Sequence, residues 1–148
     1  MKISKKCRYG LRALIDLSMH SGTEYMVLGN IAERNNISPQ YLEQVFAGLR
    51  RAGIVKGVKG SQGGYRLNIP PEELTVSEIL VALDGSYQIE PEEMPEDSHG
   101  RGVAASIQQL IIDRMNEQME LLLKSITLDD LRRNYLDYEE YNQDMYYI

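Results

Sequence analysis

Residues 27–67, VLGNIAERNNISPQYLEQVFAGLRRAGIVKGVKGSQGGYRL, decide the fold. Ile31 and Ala32 give a first short helix its apolar face, and Asn35-Asn36 close it. Ser38 followed by Pro39 is the favoured pair for an N-cap and a first helical position. Leu42, Val45, Phe46 and Leu49 then recur at steps of three and four, which buries one face of a second helix. Its other face carries Gln40, Tyr41, Glu43 and Gln44 and ends in Arg50-Arg51; Gly53 stops it. The runs 54–58 and 64–67 are β-prone and flank a Lys59-Gly60-Ser61-Gln62-Gly63 tip that suits a hairpin turn. Helix, turn, helix and basic hairpin make a winged helix-turn-helix, so the expected fold is mainly α with a small β-hairpin wing. DNA binding is the function that this order implies.

The whole chain has 148 residues, enough for one domain with extensions and a core of its own. Hydrophobic residues at 43% and charged residues at 26% are ordinary values for a soluble protein. No apolar run approaches the roughly 18 residues of a membrane span, and no signal-peptide core stands at the N-terminus, so a cytoplasmic protein is expected. A net charge of −6 argues against nucleic acid until its distribution is read. Residues 1–66 hold eleven Lys/Arg against four Asp/Glu, a net of +7, and residues 67–148 hold five against eighteen, a net of −13. Such asymmetry points to a nucleic-acid-binding N-terminal half. The acidic half should lie away from phosphate or contact something else.

Upstream, MKISKKCRYGLRALIDLSMH (1–20) reads as a basic lead-in and a helix with a stripe of Tyr9, Leu11, Leu14, Ile15 and Leu17. Lys2, Lys5, Lys6 and Arg8 adjoin the reading head, which needs phosphate contacts to fix its register. With Ser38, Arg50, Arg51 and Lys56 they form the candidate phosphate set. Arg50 and Arg51 equally complement the dipole at the end of their helix, a structural role that competes. Gln40, Glu43 and Gln44 are types that bond base edges, and they stand near the helix end that would enter a major groove. A polar solvent face is the plainer account of the same residues. Lys59 suits a minor groove, and the wing around it (Gly60, Ser61, Gln62, Gly63, Gly64, Tyr65) has glycines that permit close backbone approach.

The opening MKISKKCRYGLRALIDL, the central ISPQYLEQVFAGLRRAGIV and the wing VKGSQGGYRL together resemble the Rrf-two family of bacterial regulators, over about residues 1–135. The resemblance implies a homodimeric winged-helix repressor or activator on a palindromic double-stranded DNA operator. It assigns base reading to Gln40, Tyr41, Glu43 and Gln44, and the minor groove to Lys59. In the family's iron–sulphur members three cysteines lie where this chain has SYQIEPEEMPEDSHGRG (86–102), which holds none and only His99. No cluster or other cofactor is therefore expected, and a solvated loop is the plain account of His99. The cluster-free branch that controls cysteine metabolism is the nearer likeness.

By domain, residues 1–85 are expected to form the winged head, 86–102 an acidic loop, 103–134 a dimerisation helix with a short successor, and 135–148 an acidic aromatic tail. Thr75 to Glu78 is a capping box for a helix with Ile79, Leu80 and Leu83 inside and Asp84-Gly85 at its end. The loop lacks periodicity, and mobility is expected of it. From Val103 to Ile126, Ile107, Leu110, Ile111, Met115, Met119, Leu122 and Leu123 recur at helical spacing over more turns than a small head covers. Pairing with a second copy is the stronger account and packing on the same chain the plainer one. Pairing would set two heads about one DNA turn apart, or a multiple of it.

Thr127 to Asp130 is a second capping box, opening a short helix through Leu131. YLDYEEYNQDMYYI (135–148) carries five tyrosines and four carboxylates, so it is either a frayed acidic end or a docking element. Tyr146, Tyr147 and Ile148 beside a terminal carboxylate suit a pocket that captures chain ends. The resemblance supplies the partner: cysteine-metabolism members work with O-acetylserine thiol-lyase (cysteine synthase), an enzyme class whose active site accepts C-terminal isoleucine peptides. Cys7, the lone cysteine, excludes an internal disulfide. Its neighbours Lys5, Lys6 and Arg8 favour a thiolate and a redox-sensing role, with an inert thiol as the alternative.

Other classes fit less well. Gly57 to Gly64 lacks the GK[ST] ending of a phosphate loop and is flanked by strands, and two histidines with one cysteine give no triad or metal spacing. An interaction module that no longer binds DNA is opposed by the basic residues and the intact wing.

Overall fold

The computed structural model describes residues 3–20, 24–58 and 63–146. The order is α1 (Lys5–His20), α2 (Leu28–Arg34), α3 (Pro39–Arg51), β1 (Val55–Val58), β2 (Gly64–Leu67), α4 (Val76–Asp84), α5 (Ser98–Ile107), a π-helical turn (Gln108–Ile112), α6 (Asp113–Ser125) and α7 (Leu128–Tyr146). Lys2, Lys59, Gly60, Ser61, Gln62, Tyr147 and Ile148, all named as candidate site residues, lie outside the described residues.

Helix ends follow local side-chain chemistry. Asn36 takes a left-handed turn (φ 53°) after α2, and Gly53 (φ 79°) and Gly85 (φ 82°) do so after α3 and α4. Ser38 Oγ accepts from the Tyr41 amide, with Pro39 at the first helical position. Thr75 Oγ1 accepts from the Glu78 amide at 3.2 Å. At α7 the box is reciprocal: Thr127 Oγ1 accepts from the Asp130 amide at 3.1 Å, and Asp130 Oδ2 accepts from the Thr127 amide at 2.9 Å. Each cap satisfies donors that a helix start leaves unpaired.

The core lies where α1, α3 and α4 converge: Leu14, Leu17, Ile31, Leu42, Phe46, Leu49 and Ile79 are fully buried. The wing pairs antiparallel from Val55 opposite Leu67 to Val58 opposite Gly64. Met26 joins its edge, exchanging two backbone hydrogen bonds of 2.8 Å with Tyr65.

The head carries the long helices through a backbone seam. Val76 N donates to Ile126 O and Leu128 N to Leu74 O, both at 2.8 Å, and Asp129 N donates to Pro71 O at 3.1 Å. Leu128 is fully buried in the head's core. This seam ties the junction between α6 and α7 to the winged head.

Three expectations change. The long helix starts at Ser98, five residues earlier than Val103, because Asp97 caps it by accepting from the Gly100 amide at 2.7 Å. It runs through the π-helical turn before ending at Ser125, so the acidic loop shortens to 86–97. That loop is also pinned rather than loose. Asn116 bonds both backbone groups of Ile89 (2.8 and 3.3 Å), Gln108 Oε1 accepts from the Glu92 amide (2.7 Å), and the Tyr87 hydroxyl meets Ser77 Oγ (2.8 Å). Finally, the segment expected to be a short helix followed by an acidic aromatic tail is one helix of 19 residues, α7, as far as Tyr146. Among the described residues no helix is long and apolar enough to cross a membrane.

Candidate nucleic-acid interface

α3 divides its residues cleanly. Leu42, Val45, Phe46, Gly48 and Leu49 are buried, while Gln40, Glu43, Gln44, Arg50 and Arg51 are exposed along the opposite side. The wing stands beside that row. Glu43 and Arg50 share with Gly57, Val58, Gly64 and Tyr65 an open groove of about 550 Å³ between helix and wing. Lys56 is exposed on β1. Ser38 is exposed at the helix start, its hydroxyl facing the Tyr41 amide.

Two wing residues have structural duties. The Tyr65 ring meets Phe46 edge-on, with centroids 5.0 Å apart, and so fastens β2 to the core face of α3. A Cβ on Gly64 would collide with the Met26 carbonyl, so the close backbone approach here is made by the protein itself. Arg66 lies over the Tyr25 ring at 4.9 Å, a further tie between the wing and the strand-like segment before α2.

α1 reaches the same surface through aromatic contacts. Tyr41, half-buried, meets Tyr9 edge-on at 5.6 Å. The ammonium of Lys5 and the guanidinium of Arg12 sit over the Tyr9 ring at 5.5 and 5.4 Å, in range of cation–π attraction. Positive charge is thereby gathered beside the N-terminal end of α3. Arg12 is a further member of the N-terminal basic cluster that the sequence places beside the reading head. Arg8 turns elsewhere: its Nε donates to Ile3 O at 3.1 Å, and it lines the groove with Leu80, Tyr87 and Leu122. Lys6 is half-buried.

What holds α2 against α1 is a polar lock that periodicity does not reveal. Asp16, only 8% exposed, accepts from Arg34 Nε (2.9 Å) and Nη2 (2.6 Å) and from Asn35 Nδ2 (3.0 Å). Burial alone would raise its pKa, but the bonds from Arg34 and Asn35 outweigh it and hold the carboxyl below its ordinary range. The lock fixes the first helix of the helix-turn-helix to its scaffold.

Cys7 departs from the expected thiolate. It is 1% exposed, and burial pushes its thiol up to about 11, with the nearby Asp84 adding to the rise and Lys6 opposing it. A thiol in that state is protonated at neutral pH and shielded from oxidants.

The candidate dimerisation residues are left uncovered on the single chain. Leu110 (59%), Ile111 (52%) and Leu122 (58%) are exposed, Met115 is exposed, and Ile107, Met119 and Leu123 are half-buried. α6 buries none of its residues.

Comparison with known proteins gives this geometry a family. The Rrf2 family model, described as an iron-dependent transcriptional regulator, matches residues 3–134. The chain is 39% identical over 148 residues to the HTH-type transcriptional regulator CymR of Bacillus subtilis, covering 100% of both chains. The solved structure of CymR, the global cysteine regulator of B. subtilis, superposes with a TM-score of 0.75 at 35% identity, covering 90% of this chain and 98% of that one. The T. potens IscR structure gives a TM-score of 0.67 at 36% identity, covering 91% and 88%.

The donor set does not fit the iron in the family's description. The segment 86–102 offers one exposed histidine and no thiol, and Cys7 is buried beside Ser4 and Asp84. Among the described residues no group of three or more His, Cys, Asp or Glu could hold a metal. The two amides that pin the loop, Gln108 and Asn116, are weak ligands for iron. Lacking that donor set but built on the same winged scaffold, the chain belongs to the Rrf-two family of DNA-binding transcriptional regulators and is a regulator rather than an enzyme.

Proposed function

We propose that two copies of this chain pair through the α5–α6 ridge and act as a repressor on an inverted-repeat operator. The observation that carries this reading is the exposed polar row of α3 standing beside the wing, with every large apolar residue of that helix buried. In this reading Gln40, Glu43 and Gln44 bond base edges, and Tyr41 positions that end of the helix through Tyr9. Lys5, Lys6, Arg12, Arg50, Arg51 and Lys56 meet phosphate, with Lys2 and Lys59 extending the set. Ile107, Leu110, Ile111, Met115, Met119, Leu122 and Leu123 close the dimer. The uncovered apolar ridge supports pairing, since such patches on a soluble chain mark interaction surfaces.

The gene set we assign is cysteine and sulphur metabolism, supported by 39% identity over the full length to the B. subtilis regulator. O-acetylserine thiol-lyase is the proposed co-regulator, docking the chain end at Tyr146, Tyr147 and Ile148. The protein acts in the cytoplasm, where both DNA and that enzyme are met.

Two titrations test the reading. Phosphate contacts predict that affinity for duplex DNA falls about linearly with salt on logarithmic axes, by roughly 0.9 per phosphate neutralised. A flat response would remove DNA binding through this surface. Affinity for O-acetylserine thiol-lyase is measured with and without Ile148, and equal values would remove the chain end as the anchor.

A further inference from the structure

Between α1, the end of α2 and α7 lies an open-sided cavity of about 550 Å³, a size ordinary for small-molecule sites. Ile15 and Met19, both half-buried on α1, give it an apolar wall. Much of its polar lining is already spent. Asp16 accepts from Arg34 and Asn35 through both carboxylate oxygens, and His20 Nδ1 donates to the Asp16 carbonyl at 3.0 Å. Two opposite charges are not spent. The Arg12 guanidinium rests on the Tyr9 ring, and among the described residues no carboxylate pairs with it. On the α7 side stands Tyr135, with Glu139 half-buried one helical turn further on. Glu139 likewise has no ion pair among the described residues. Burial and the neighbouring Glu139 carboxylate push the Tyr135 phenol up, so that carboxylate sits close to the cavity wall.

Charge selects the ligand. A phosphate or other dianion would meet the carboxylates of Asp16 and Glu139, and a lone cation would meet Arg12 and Arg34. Among the described residues no group of His, Cys, Asp or Glu could hold a metal. A molecule with one charge of each sign and a short apolar body fits all three features. We propose that this cavity binds a free α-amino acid, its carboxylate on Arg12, its ammonium on Glu139 and its side chain against Ile15 and Met19. Both pairings are charge-assisted hydrogen bonds, and a guanidinium can take a carboxylate bidentately. In the reading above Arg12 also meets phosphate, so a bound carboxylate removes that cation from the DNA surface. This consequence rests on the phosphate role of Arg12; occupancy of the cavity does not.

Calorimetric titration of the full chain with each of the protein amino acids, up to about 10 mM, tests the site. At least one should bind saturably, once per chain, and binding by none of them overturns the proposal. The carboxamide and the N-acetyl derivative of the tightest binder each lack one charge and should bind at least about tenfold more weakly. Arg12→Gln and Glu139→Gln should show the same loss at an unchanged urea midpoint, while Glu117→Gln, on α6, should show none. Derivatives or cavity variants that bind as well as the parent overturn the site, as does an equal loss in Glu117→Gln. Duplex affinity with saturating ligand should fall for the wild type and hold constant for Arg12→Gln. Equal duplex affinity of the ligand-free wild type and Arg12→Gln chains removes the phosphate role and leaves the site standing. If Arg12→Gln weakens duplex binding but the ligand does not, the competition is overturned.

Discussion

The winged head and the long C-terminal helices use the same apolar residue types to opposite ends. In α3, Leu42, Val45, Phe46 and Leu49 are all fully buried within one chain. In α6 no residue is buried, and Leu121 and Leu122 stand 60% and 58% exposed. The head closes its core by itself, so its apolar residues account for stability. The ridge of Leu110, Ile111, Met115, Leu121 and Leu122 beyond it is left in water, which costs solvation unless another surface covers it. Regular spacing alone does not separate these cases; only the presence of a covering element in the same chain does.

The comparison breaks first at Phe46. Phe46→Ala removes the largest fully buried side chain and the support of Tyr65, so the head should lose about 3–5 kcal/mol, read as a lower urea midpoint. A loss below about 1 kcal/mol would mean that the core is less closed than its burial indicates.

Asp16→Asn comes next, at about 2 kcal/mol, since a bidentate bond to a carboxylate is lost while Arg34 stays partly solvated. The pH dependence has a definite sign. The folded carboxyl titrates below its unfolded value near 3.8, so the unfolded chain binds the proton more readily through that window. The stability is present above that unfolded value and is lost as pH falls through the folded one. Urea midpoints measured from pH 6 down should show an acid limb shallower in the Asn variant than in the wild type, and parallel limbs would contradict the lock.

Leu110→Asp addresses the other half. It should leave the urea midpoint of the head nearly unchanged and raise the dimer dissociation constant about 30-fold, roughly 2 kcal/mol. A monomer-like unfolding defect with intact pairing would reverse the comparison. Gln44→Ala is the smallest: no stability change, and about 1 kcal/mol less discrimination at one operator base pair, read by competition with single-base variants.

The helix-turn-helix was legible because its signals are local. Asn36, Ser38-Pro39, Gly53 and the two threonine boxes each act within four residues, and all appear in the structure where the sequence placed them. The misplaced features depend on partners distant in the chain. Asp16 interrupts an apolar stripe, and its meaning requires Arg34 and Asn35 from another helix. Gly64 and Tyr65 read as wing chemistry, yet their neighbours are Met26 and Phe46. The acidic loop looks loose by composition and is held by Gln108 and Asn116 from the long helix. α7 begins at the box that the sequence marks at Thr127 but runs well past Leu131: its Tyr and Asp residues are weak helix formers, and the docking of Leu128 and Leu131 starts the helix firmly enough for it to continue.

Paired heads on one DNA are the central claim, and selection of duplexes from a random library by the full chain tests it most directly. The account predicts inverted repeats, with half-site centres about one helical turn or a multiple apart. Recovery of single half-sites, direct repeats or no consensus would contradict it.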